Sequence, residues 1–445
     1  MKTPLTRRVF LRRATLAAAG VWAAPALSRA LRAASPNEIL LHASFGAAGM
    51  AAADIENLTR HPALKLVAVA DVDLNNANAL KAKFPDIRIY QDWRRLLDKE
   101  KSIDSVNVTV PDHMHAAIAM SALQLGKHVY CQKPLTHDLY EARRLTEFAR
   151  TKKCVTQMGI QIHSSGMYKQ AVRVIQQGAI GKVKEVHAWS ADKWGDPNPL
   201  PDRADPVPAN FNWNDWLGTA AERPFLGNGY YHPATWRKRV DFGTGTFGDM
   251  GCHIFDPVFS ALQLTAPISI RSEGPAPSAW NWATNAIVHY VFPGTPYTAD
   301  KTINVTWYDG DELPPKEVQA LLEGDKLPAQ GSIFVGAKGA MLLPHVAFAQ
   351  LYPDKDFASY RRPDVQEQDH WGQFVDACLD RGQTSAGFDY AGPLAETVLL
   401  GTVACRFPQT TLQWNARRLK FRNGSAANHY LRRQYRAGWK VKGLS

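Results

Sequence analysis

Two short stretches of the sequence carry side chains that can move protons. The segment FGTGTFGDMGCHIFDP places Asp249 and His253 at D-x-x-x-H spacing, which puts a carboxylate and an imidazole on one face of a helix. The segment CQKPL places Lys133 before a proline. Such groups together can take the proton of a hydroxyl and stabilise the developing alkoxide. Singly, His253 would be a core histidine and Lys133 a surface charge; their combination favours a catalytic site.

A third stretch has the spacing of a phosphate-binding loop. The segment LLHASFGAAGM contains Ser44-x-Gly46-x-x-Gly49, with serine where a G-x-G-x-x-G loop has its first glycine. Asp71 follows 22 residues after Gly49 and ends the next predicted strand, as expected of an acid that binds an adenosine ribose. No arginine stands in the four positions after Asp71, so NAD is favoured over NADP. The alternative for the glycine loop is a turn of small residues inside a core. The alternative for Asp71 is a solvated carboxylate at the end of a strand.

These residues need a scaffold, and from residue 38 the chain alternates short strands with helices. Strand candidates such as EILLHASF, LKLVAVADVD and IDSVNVTVPD are separated by helix candidates such as AAADIENLTRH and LYEARRLTEFARTK. This alternation predicts an α/β fold that begins with a doubly wound parallel sheet, a Rossmann domain over 37–160. The glycine loop lies between its first strand and first helix, where a dinucleotide would bind.

After about residue 160 the pattern changes. A stretch rich in Pro, Gly and Trp over 190–250 precedes further strand candidates, among them NAIVHYVF, KTINVTWYD and GSIFVGAKGAMLL. Helix candidates DHWGQFVDACLDRG and GPLAETVLLGTVACRF follow. We therefore expect an α+β domain over 161–410 with a large, mostly antiparallel open sheet, followed by a basic C-terminal arm over 411–445.

The formal net charge of +11 is concentrated at the two ends of the chain. Residues 1–36 carry seven basic residues and residues 397–445 carry ten, without one acidic residue in either segment, so the body between them is net negative. No basic groove is implied, and no nucleic-acid partner is expected. The arm is expected to pack Tyr430, Tyr435 and Trp439 against the body. The five cysteines are odd in number and show no C-x-x-C pair, which is typical of buried thiols.

The N-terminal segment over 1–36 is similar to a bacterial twin-arginine export signal. Arg7 and Arg8 precede an apolar run over 14–27, and small residues suited to cleavage follow. We therefore expect a periplasmic protein, exported folded, with no stable membrane insertion once the signal is removed. An N-terminal membrane anchor is the alternative, but the apolar run is short for a span of roughly 20 residues.

Three features together carry a resemblance to one family. The glycine loop, the segment VNVTVPDHMHAAIAMSALQLGKHVYCQKPL and the D-x-x-x-H segment are similar to those of the Gfo/Idh/MocA family, which includes glucose–fructose oxidoreductase and inositol dehydrogenase. The resemblance covers essentially the whole chain after the export segment. It implies an NAD-dependent oxidoreductase that acts on a secondary hydroxyl of a sugar, sugar acid or polyol. It also implies a homo-oligomer, a dimer or tetramer, built through the C-terminal sheet.

The resemblance implies which residues hold the cofactor. The two glycines would approach the pyrophosphate at the N-terminus of the first helix, and Pro111 and His115 would line the nicotinamide half. The complete set of expected cofactor-binding residues is Ser44, Gly46, Ala48, Gly49, Asp71, Pro111, His115 and Lys133.

The catalytic residues implied by the resemblance are Lys133, Asp249 and His253. Lys133 would reach both the nicotinamide ribose and the substrate hydroxyl. His253 would be the general acid and base, with Asp249 orienting it or binding substrate. A desolvated lysine and a histidine with a pKa near neutrality can share the transfer of one proton.

The sequence departs from the family pattern at three positions. Ser44 replaces the turn glycine, which predicts a strained or slightly opened loop. His42 adds a polar group to the first strand. Gln132 replaces the glutamate of the E-K-P motif, which removes a negative charge beside Lys133 and would slightly favour its neutral amine.

The aromatic stretch before the D-x-x-x-H motif is a candidate substrate site, because sugars present apolar C–H faces to flat rings. Most of its rings would be core or subunit contacts, and two or three would touch ligand. The expected substrate-binding residues are Gln161, His163, Tyr231, His232, Trp236 and Arg237. A metal site built from His163, Asp249 and His253 lacks a ligand motif, so no metal is predicted.

Two further functional hypotheses stay open. A glycoside-cleaving enzyme would hold NAD, oxidise a sugar hydroxyl transiently and eliminate the aglycone with the same lysine, histidine and carboxylate. A non-catalytic sugar-binding protein would have lost activity at Ser44 and Gln132. Retention of Asp71 and of the three catalytic candidates argues against this last hypothesis.

Overall fold

The computed structural model describes residues 39–445, so the predicted export signal lies outside the described residues. Within the described part, no helix is both long enough and apolar enough to cross a lipid bilayer. The five cysteines all lie in this part and are free thiols, three of them buried.

The first domain is a six-stranded parallel sheet with the strand order β3-β2-β1-β4-β5-β6. The strands are β1 (Leu40–Phe45), β2 (Leu64–Ala70), β3 (Arg88–Tyr90), β4 (Ser105–Val108), β5 (His128–Gln132) and β6 (Thr156–Gly159). Strand order reverses between β1 and β4, and in open α/β sheets ligands bind at the carboxyl ends of the strands beside such a point. The predicted Rossmann domain is confirmed.

Five helices alternate with these strands. They are α1 (Met50–Thr59), α2 (Leu74–Lys83), α3 (Trp93–Lys99), α4 (Asp112–Gln124) and α5 (Leu139–Thr151). The side chain of Asp73 accepts the N–H of Asn75 and caps α2. Pro111 immediately precedes α4, and its fixed φ suits the entry to a helix. The first turn of α4 therefore faces the crevice at the end of β4.

The second domain contains a nine-stranded sheet in the order β13-β12-β11-β7-β10-β9-β8-β14-β15. Its strands are β7 (Val183–Ser190), β8 (Ser269–Glu273), β9 (Ile287–Pro293), β10 (Thr302–Asp309), β11 (Gln330–Gly336), β12 (Ala340–Pro344), β13 (Gln350–Tyr352), β14 (Thr411–Asn415) and β15 (Lys420–Phe421). Only β7 and β10 pair in parallel; the other neighbours are antiparallel. The sheet is mixed and mostly antiparallel, as predicted.

Seven α-helices lie within residues 161–445, after β6. They are α6 (Gly166–Gln176), α7 (Trp213–Leu217), α8 (Gly245–Leu262), α9 (Lys316–Gln319), α10 (Asp354–Phe357), α11 (His370–Cys378) and α12 (Phe388–Ala404). The long helix α8 is buried along nearly its whole length between α6, α12 and the sheet. Helix α12 also packs on α5, and α11 on α1, so the two domains share extensive contacts.

The aromatic loop (residues 190–244) connects β7 to α8 and covers part of the first domain. Its backbone pairs with the chain after β2: the N–H of Asn212 donates to the carbonyl of Val72 at 2.9 Å, and the N–H of Leu74 donates to Asn210 at 3.0 Å. Many of its rings pack on one another, as the 5.0 Å separation of the Trp213 and Trp216 ring centres shows. The expectation that most of these rings form a core is confirmed.

The C-terminal segment begins as part of the sheet, because β14 pairs with β8. The residues after β15 then cross the first domain. Tyr435 donates its hydroxyl hydrogen to Glu141 at 2.6 Å, and the guanidinium of Arg94 lies 4.0 Å from the ring centre of Trp439. Tyr435 and Trp439 are buried as expected, whereas Tyr430 remains half-exposed.

Candidate active site

The glycine loop has the backbone geometry of a phosphate cradle. Gly46 and Gly49 both adopt positive φ, +101° and +57°. A Cβ at Gly46 would collide with the carbonyl oxygen of Thr109, so this position requires glycine for space as well as for conformation. Gly49 directly precedes α1, where unpaired backbone N–H groups favour an anion such as a pyrophosphate.

The structure corrects the expectation for Ser44. Strain was predicted there, but Ser44 is the fifth residue of β1 and pairs in ordinary extended conformation with Val69. Its hydroxyl donates to the carbonyl of Gly46 at 2.7 Å. The tight turn begins two residues later than the motif spacing indicated, so serine fits without strain and helps to hold the loop. His42, in the same strand, bonds Ser105 and Asn107 and is a satisfied core histidine.

Asp71 lies at the end of β2, beside the glycine loop. One carboxylate oxygen accepts the N–H of Ala47 at 2.9 Å, and the other accepts the N–H of Asp73 at 2.9 Å. Burial raises the pKa of Asp71 to about 6, against these hydrogen bonds. A carboxylate in this place, next to a helix N-terminus and a glycine cradle, fits the adenosine ribose of NAD.

A cavity of about 610 Å³ begins at the glycine loop and Asp71 and continues to the junction of the two domains. The predicted site residues that line it are Gly46, Ala48, Gly49, Asp71, Pro111, His115, Lys133, Gln161, His232, Trp236, Arg237 and His253. The cavity therefore joins most of the predicted cofactor residues to Lys133 and His253 in one continuous space, whereas Ser44 and Asp249 do not line it.

Lys133, Asp249 and Arg237 form an ionic cluster at the domain junction. Lys133 Nζ donates to Asp249 Oδ1 at 2.6 Å and to the Asp249 carbonyl at 3.0 Å, and Arg237 Nε donates to the same carboxylate oxygen at 3.2 Å. Burial alone would raise the pKa of Asp249, but the two cations hold it well below its usual value. Asp249 also supplies the negative charge that Gln132 was expected to remove from beside Lys133.

His253 lies one helical turn after Asp249 on α8, as the D-x-x-x-H spacing predicted. Only 7% of the residue is exposed, and its Nδ1 has no hydrogen-bond partner among the described residues. Burial, together with the charge of Lys133, holds its pKa well below the usual value. The predicted near-neutral pKa is therefore wrong, because a proton on His253 would add another cation to a buried, cationic site. The imidazole is neutral and free to accept a proton.

His115 lines the cavity from the first turns of α4. Its Nδ1 lies 2.8 Å from the carbonyl oxygen of Pro134, and its Nε2 lies 2.8 Å from that of Val110. Burial lowers the pKa of His115. The ring thus ties the turn after Lys133 to the end of β4, and this tie shapes the wall where a nicotinamide would lie.

Two predicted substrate residues are placed differently from the expectation. Tyr231 is buried in the aromatic core of its loop, outside the cavity lining. His163 bonds Asp256 at 2.8 Å and its ring contacts Tyr390, so it also lies outside the lining. Tyr231 was predicted from its closeness to Asp249 in the sequence and His163 from its place at the domain junction, and neither criterion determines where a side chain points.

A third residue, His232, lines the cavity at the opposite end from the catalytic cluster. Its Nε2 lies 3.5 Å from the carboxylate of Asp73, near the presumed adenosine site. Gln161, Trp236 and Arg237 remain beside the catalytic cluster, and the Arg237 guanidinium lies 4.4 Å from the centre of the Trp236 ring. This end of the cavity therefore offers a flat ring, an amide and a cation to a polyhydroxylated ligand.

Sequence reasoning missed two features near the catalytic cluster. Asp112 lines the cavity and accepts a hydrogen bond from Thr244 at 2.8 Å; its place directly after Pro111 was a signal that could have found it. The His345 ring centre lies 5.6 Å from that of His253, and its Nδ1 lies 2.7 Å from the Tyr168 hydroxyl. His345 follows β12 in an unremarkable segment, and no sequence signal indicated it.

No group of three or more His, Cys, Asp or Glu side chains within residues 39–445 is arranged to hold a metal ion. In particular, His163 pairs with Asp256 rather than with Asp249. The chemistry of the described site thus depends on the ionic cluster and on the dinucleotide cradle.

The fold and the site together define a two-domain oxidoreductase with an NAD-binding Rossmann domain. Residues 42–160 match the model of the Gfo/Idh/MocA oxidoreductase family for this NAD-binding fold. Residues 162–441 match the C-terminal alpha/beta domain of the same family. The chain belongs to the Gfo/Idh/MocA family, as the sequence motifs indicated.

Similar proteins include enzymes of sugar and polyol metabolism. Levoglucosan dehydrogenase of Pseudarthrobacter phenanthrenivorans is 25% identical over 197 residues, which cover 44% of this chain and 41% of that enzyme. Inositol 2-dehydrogenase of Salmonella typhimurium is 29% identical over 126 residues, 28% of this chain and 37% of that enzyme. The matched segments thus span less than half of these relatives.

Among solved structures, the fold is similar to that of the WlbA dehydrogenase from Bordetella pertussis in complex with NADH and UDP-GlcNAcA. The TM-score is 0.60 at 13% identity, with 85% of this chain and 99% of that chain covered. GenD2 from gentamicin A biosynthesis, in complex with NAD, has a TM-score of 0.57 at 17% identity, with 86% and 98% covered. At these identities the likeness establishes the fold.

Proposed function

We propose that this protein is an exported NAD-dependent dehydrogenase that oxidises a secondary hydroxyl of a sugar, sugar acid or polyol. The observation that carries the proposal is the cluster of Lys133, Asp249 and His253 at one end of a cavity whose other end is the Asp71 cradle. An amine, a carboxylate and a neutral imidazole then lie where a substrate hydroxyl would meet the cofactor.

Each residue of the cluster has a distinct task in this proposal. Neutral His253 accepts the hydroxyl proton: its lowered pKa leaves the ring unprotonated at neutral pH, although it also makes the ring a weaker base. Lys133 donates a hydrogen bond to the oxygen as negative charge develops on it. Asp249 holds Lys133 in place through two contacts. NAD, when bound, supplies the acceptor for the hydride.

The substrate class is supported by the walls of the cavity near the cluster. Trp236 offers a flat apolar face, while Gln161 and Arg237 offer hydrogen bonds to hydroxyl or carboxylate groups. The names of two relatives, a levoglucosan dehydrogenase and an inositol 2-dehydrogenase, point to the same class. We keep the periplasm as the proposed location, on the strength of Arg7, Arg8 and the apolar run that follows. A dimer or tetramer through the C-terminal sheet stays a prediction.

The glycoside-cleaving alternative is favoured by one observation, the enclosure of the adenosine end. Asn210 Nδ2 donates to Asp73 at 2.7 Å, and Gln91 Nε2 donates to the carbonyls of Val72 and Asn210. Loop contacts made beside the adenosine site would slow the release of a bound cofactor. Retention suits a reaction that returns the hydride to the sugar after elimination of the aglycone.

The test begins with the purified mature protein. We expect NAD(H) in stoichiometric amount after denaturation, measured by absorbance and mass spectrometry; a protein without it would argue against both enzyme proposals. A panel of sugars, sugar acids, polyols and aryl glycosides then separates them. Net NADH formation at 340 nm supports the dehydrogenase, whereas release of the aglycone without net NADH supports the glycosidase. A protein that binds these sugars but gives neither signal would be a binding protein.

A further inference from the structure

A buried carboxylate lies beneath the site and contacts none of the residues assigned to catalysis. Asp54 is on the second turn of α1 and is fully buried. Three side chains donate to it: Gln132 Nε2 at 3.0 and 3.2 Å, Trp371 Nε1 at 2.9 Å and the Thr109 hydroxyl at 2.8 Å. All hydrogen bonds point from neutral donors to one carboxylate, which is the pattern of an acceptor that is ionised at neutral pH.

The partner that matters for the site is Gln132, which directly precedes Lys133. Its amide nitrogen donates to Asp54, while its amide oxygen accepts the backbone N–H of Lys133 at 3.2 Å. An amide side chain can do both at once without a proton from solvent, because its nitrogen donates while its oxygen accepts. The neighbouring strand is shaped around it, because a Cβ at Gly159 would collide with the Gln132 amide.

Asp54 also reaches the cofactor cradle. The Thr109 hydroxyl bonds to Asp54, and the Thr109 carbonyl fills the space that a side chain at Gly46 would need. Trp371 brings the second domain to the same carboxylate, since it lies on α11. One carboxylate is thus connected to the cradle, to the backbone of the reactive lysine and to the opposite domain.

We propose that Asp54 and Gln132 are a matched pair that positions Lys133, in which the Gln132 amide fits against the Asp54 carboxylate where a glutamate would not. A glutamate at position 132 would set a second buried carboxylate against Asp54, and two such groups in contact cannot both ionise. Asp54 is a positioning residue, because it acts through Gln132 and Thr109. The inference rests on Lys133 being the reactive amine of the proposed function.

The test compares Q132E, D54N and the exchanged pair D54N/Q132E with the wild-type protein. It needs no turnover, so failure of the proposed activity does not affect it. NADH affinity of the cofactor-stripped protein is measured by fluorescence, and the rate of reductive methylation of Lys133 by mass spectrometry. Methylation of Lys153, an exposed lysine, serves as the internal control.

We expect Q132E to weaken NADH binding by about tenfold or more, which corresponds to the low end of the free-energy cost of leaving buried polar groups without a partner. We also expect the rate of Lys133 methylation to change. The exchanged pair should recover to within about threefold of wild type, because a carboxylate again faces an amide. The Q132E defect should shrink as the pH falls, because a shared proton removes the repulsion. Tyr130 and Cys131, the other titratable groups near Asp54, are unchanged in every variant.

Three outcomes would overturn the inference: wild-type behaviour of Q132E in both assays, a folded D54N/Q132E no better than folded Q132E, or a D54N/Q132E that does not fold. If Q132E fails to fold while D54N/Q132E folds, the pairing of Asp54 with Gln132 is supported. The positioning role of Asp54 is then tested by the rate of Lys133 methylation in D54N. Unchanged Lys133 methylation in folded D54N would then refute that role, and a changed rate would support it.

Discussion

At its Asp71 end the cavity is shaped mainly by backbone, whereas at its Lys133 end it is shaped by charged side chains from both domains. The cradle consists of two glycines with positive φ and a carboxylate that holds the N–H groups of Ala47 and Asp73. The catalytic end depends on a lysine and a carboxylate 116 positions apart in sequence. The cradle is therefore a local property of about 30 residues, while the catalytic cluster exists only when both domains are folded together.

Removing one side chain from the catalytic end should separate chemistry from cofactor binding. We expect Lys133→Ala and His253→Ala each to lower turnover by about 10²–10⁴-fold, the usual contribution of general acid–base groups. NAD content should stay near wild type, because the cradle is untouched. The melting temperature should fall in Lys133→Ala, which leaves the buried Asp249 carboxylate with one cation fewer. Rates are measured on the panel substrate that turns over fastest, with Lys153→Ala as the control. Wild-type turnover in either variant would refute the catalytic assignment.

Adding one methyl group to the cradle should have the opposite effect. Gly46→Ala drives a Cβ into the Thr109 carbonyl at a backbone angle that alanine resists, so NAD affinity should fall by at least about tenfold. Gly49→Ala is the matched control, because its φ is also positive but no atom lies within 4 Å of the added Cβ. Calorimetry on stripped protein measures both. Equal losses in the two variants would show that backbone angle, and not space, sets the requirement at Gly46.

The pH dependence of cofactor affinity should report mainly on Asp71. With a pKa of about 6, its carboxylate is ionised at pH 7 and largely protonated at pH 5. Because the ionised form accepts the ribose hydroxyls, NAD affinity should fall by roughly tenfold from pH 7 to pH 5. Asp54 and Glu141 titrate in the same window, with pKa values near 6 and 7. The Asp71→Asn variant keeps Asp54 and Glu141. If its NAD affinity still falls between pH 7 and pH 5, a group other than Asp71 causes the pH dependence.

The smallest effect is expected at Ser44. Because its backbone is extended, Ser44→Gly should bring no tighter NAD binding, and Ser44→Val should lose only the hydrogen bond to Gly46. The expected change in NAD affinity is less than about tenfold, the range of one such bond. Melting temperature is recorded beside cofactor content. Complete loss of NAD in a folded Ser44→Val protein would mean that the turn begins at Ser44 after all.

The contrast between the two ends also explains what the sequence could predict. Strand and helix alternation, the glycine spacing and Asp71 are local signals, and the first domain was predicted from them almost element by element. The shared face of Asp249 and His253 follows from helical periodicity alone. Their encounter with Lys133 came from family resemblance, because no local pattern relates residues in different domains.

Side-chain direction in irregular segments was the part that could not be predicted. Tyr231 and His232 are adjacent, yet one is buried in an aromatic core and the other faces the adenosine end of the cavity. The backbone of the glycine loop shows the same limit. The motif gives the spacing of the glycines, but the pairing of Ser44 with β2 places Ser44 in β1 and the turn after it. Only the packed structure fixes which neighbour points inward.

The C-terminal arm has a consequence for the order in which the chain can fold. Tyr435 bonds Glu141 across a sequence separation of 294 residues, so the first domain cannot complete this contact until residue 435 has left the ribosome. At ordinary elongation rates the delay is roughly 15–60 s. During that time the surface beneath the arm is open to solvent and to other chains. A premature stop within the arm would therefore destabilise the first domain, which is synthesised earlier. Proteolysis of stalled nascent chains should then cleave the first domain at the surface that the arm would cover.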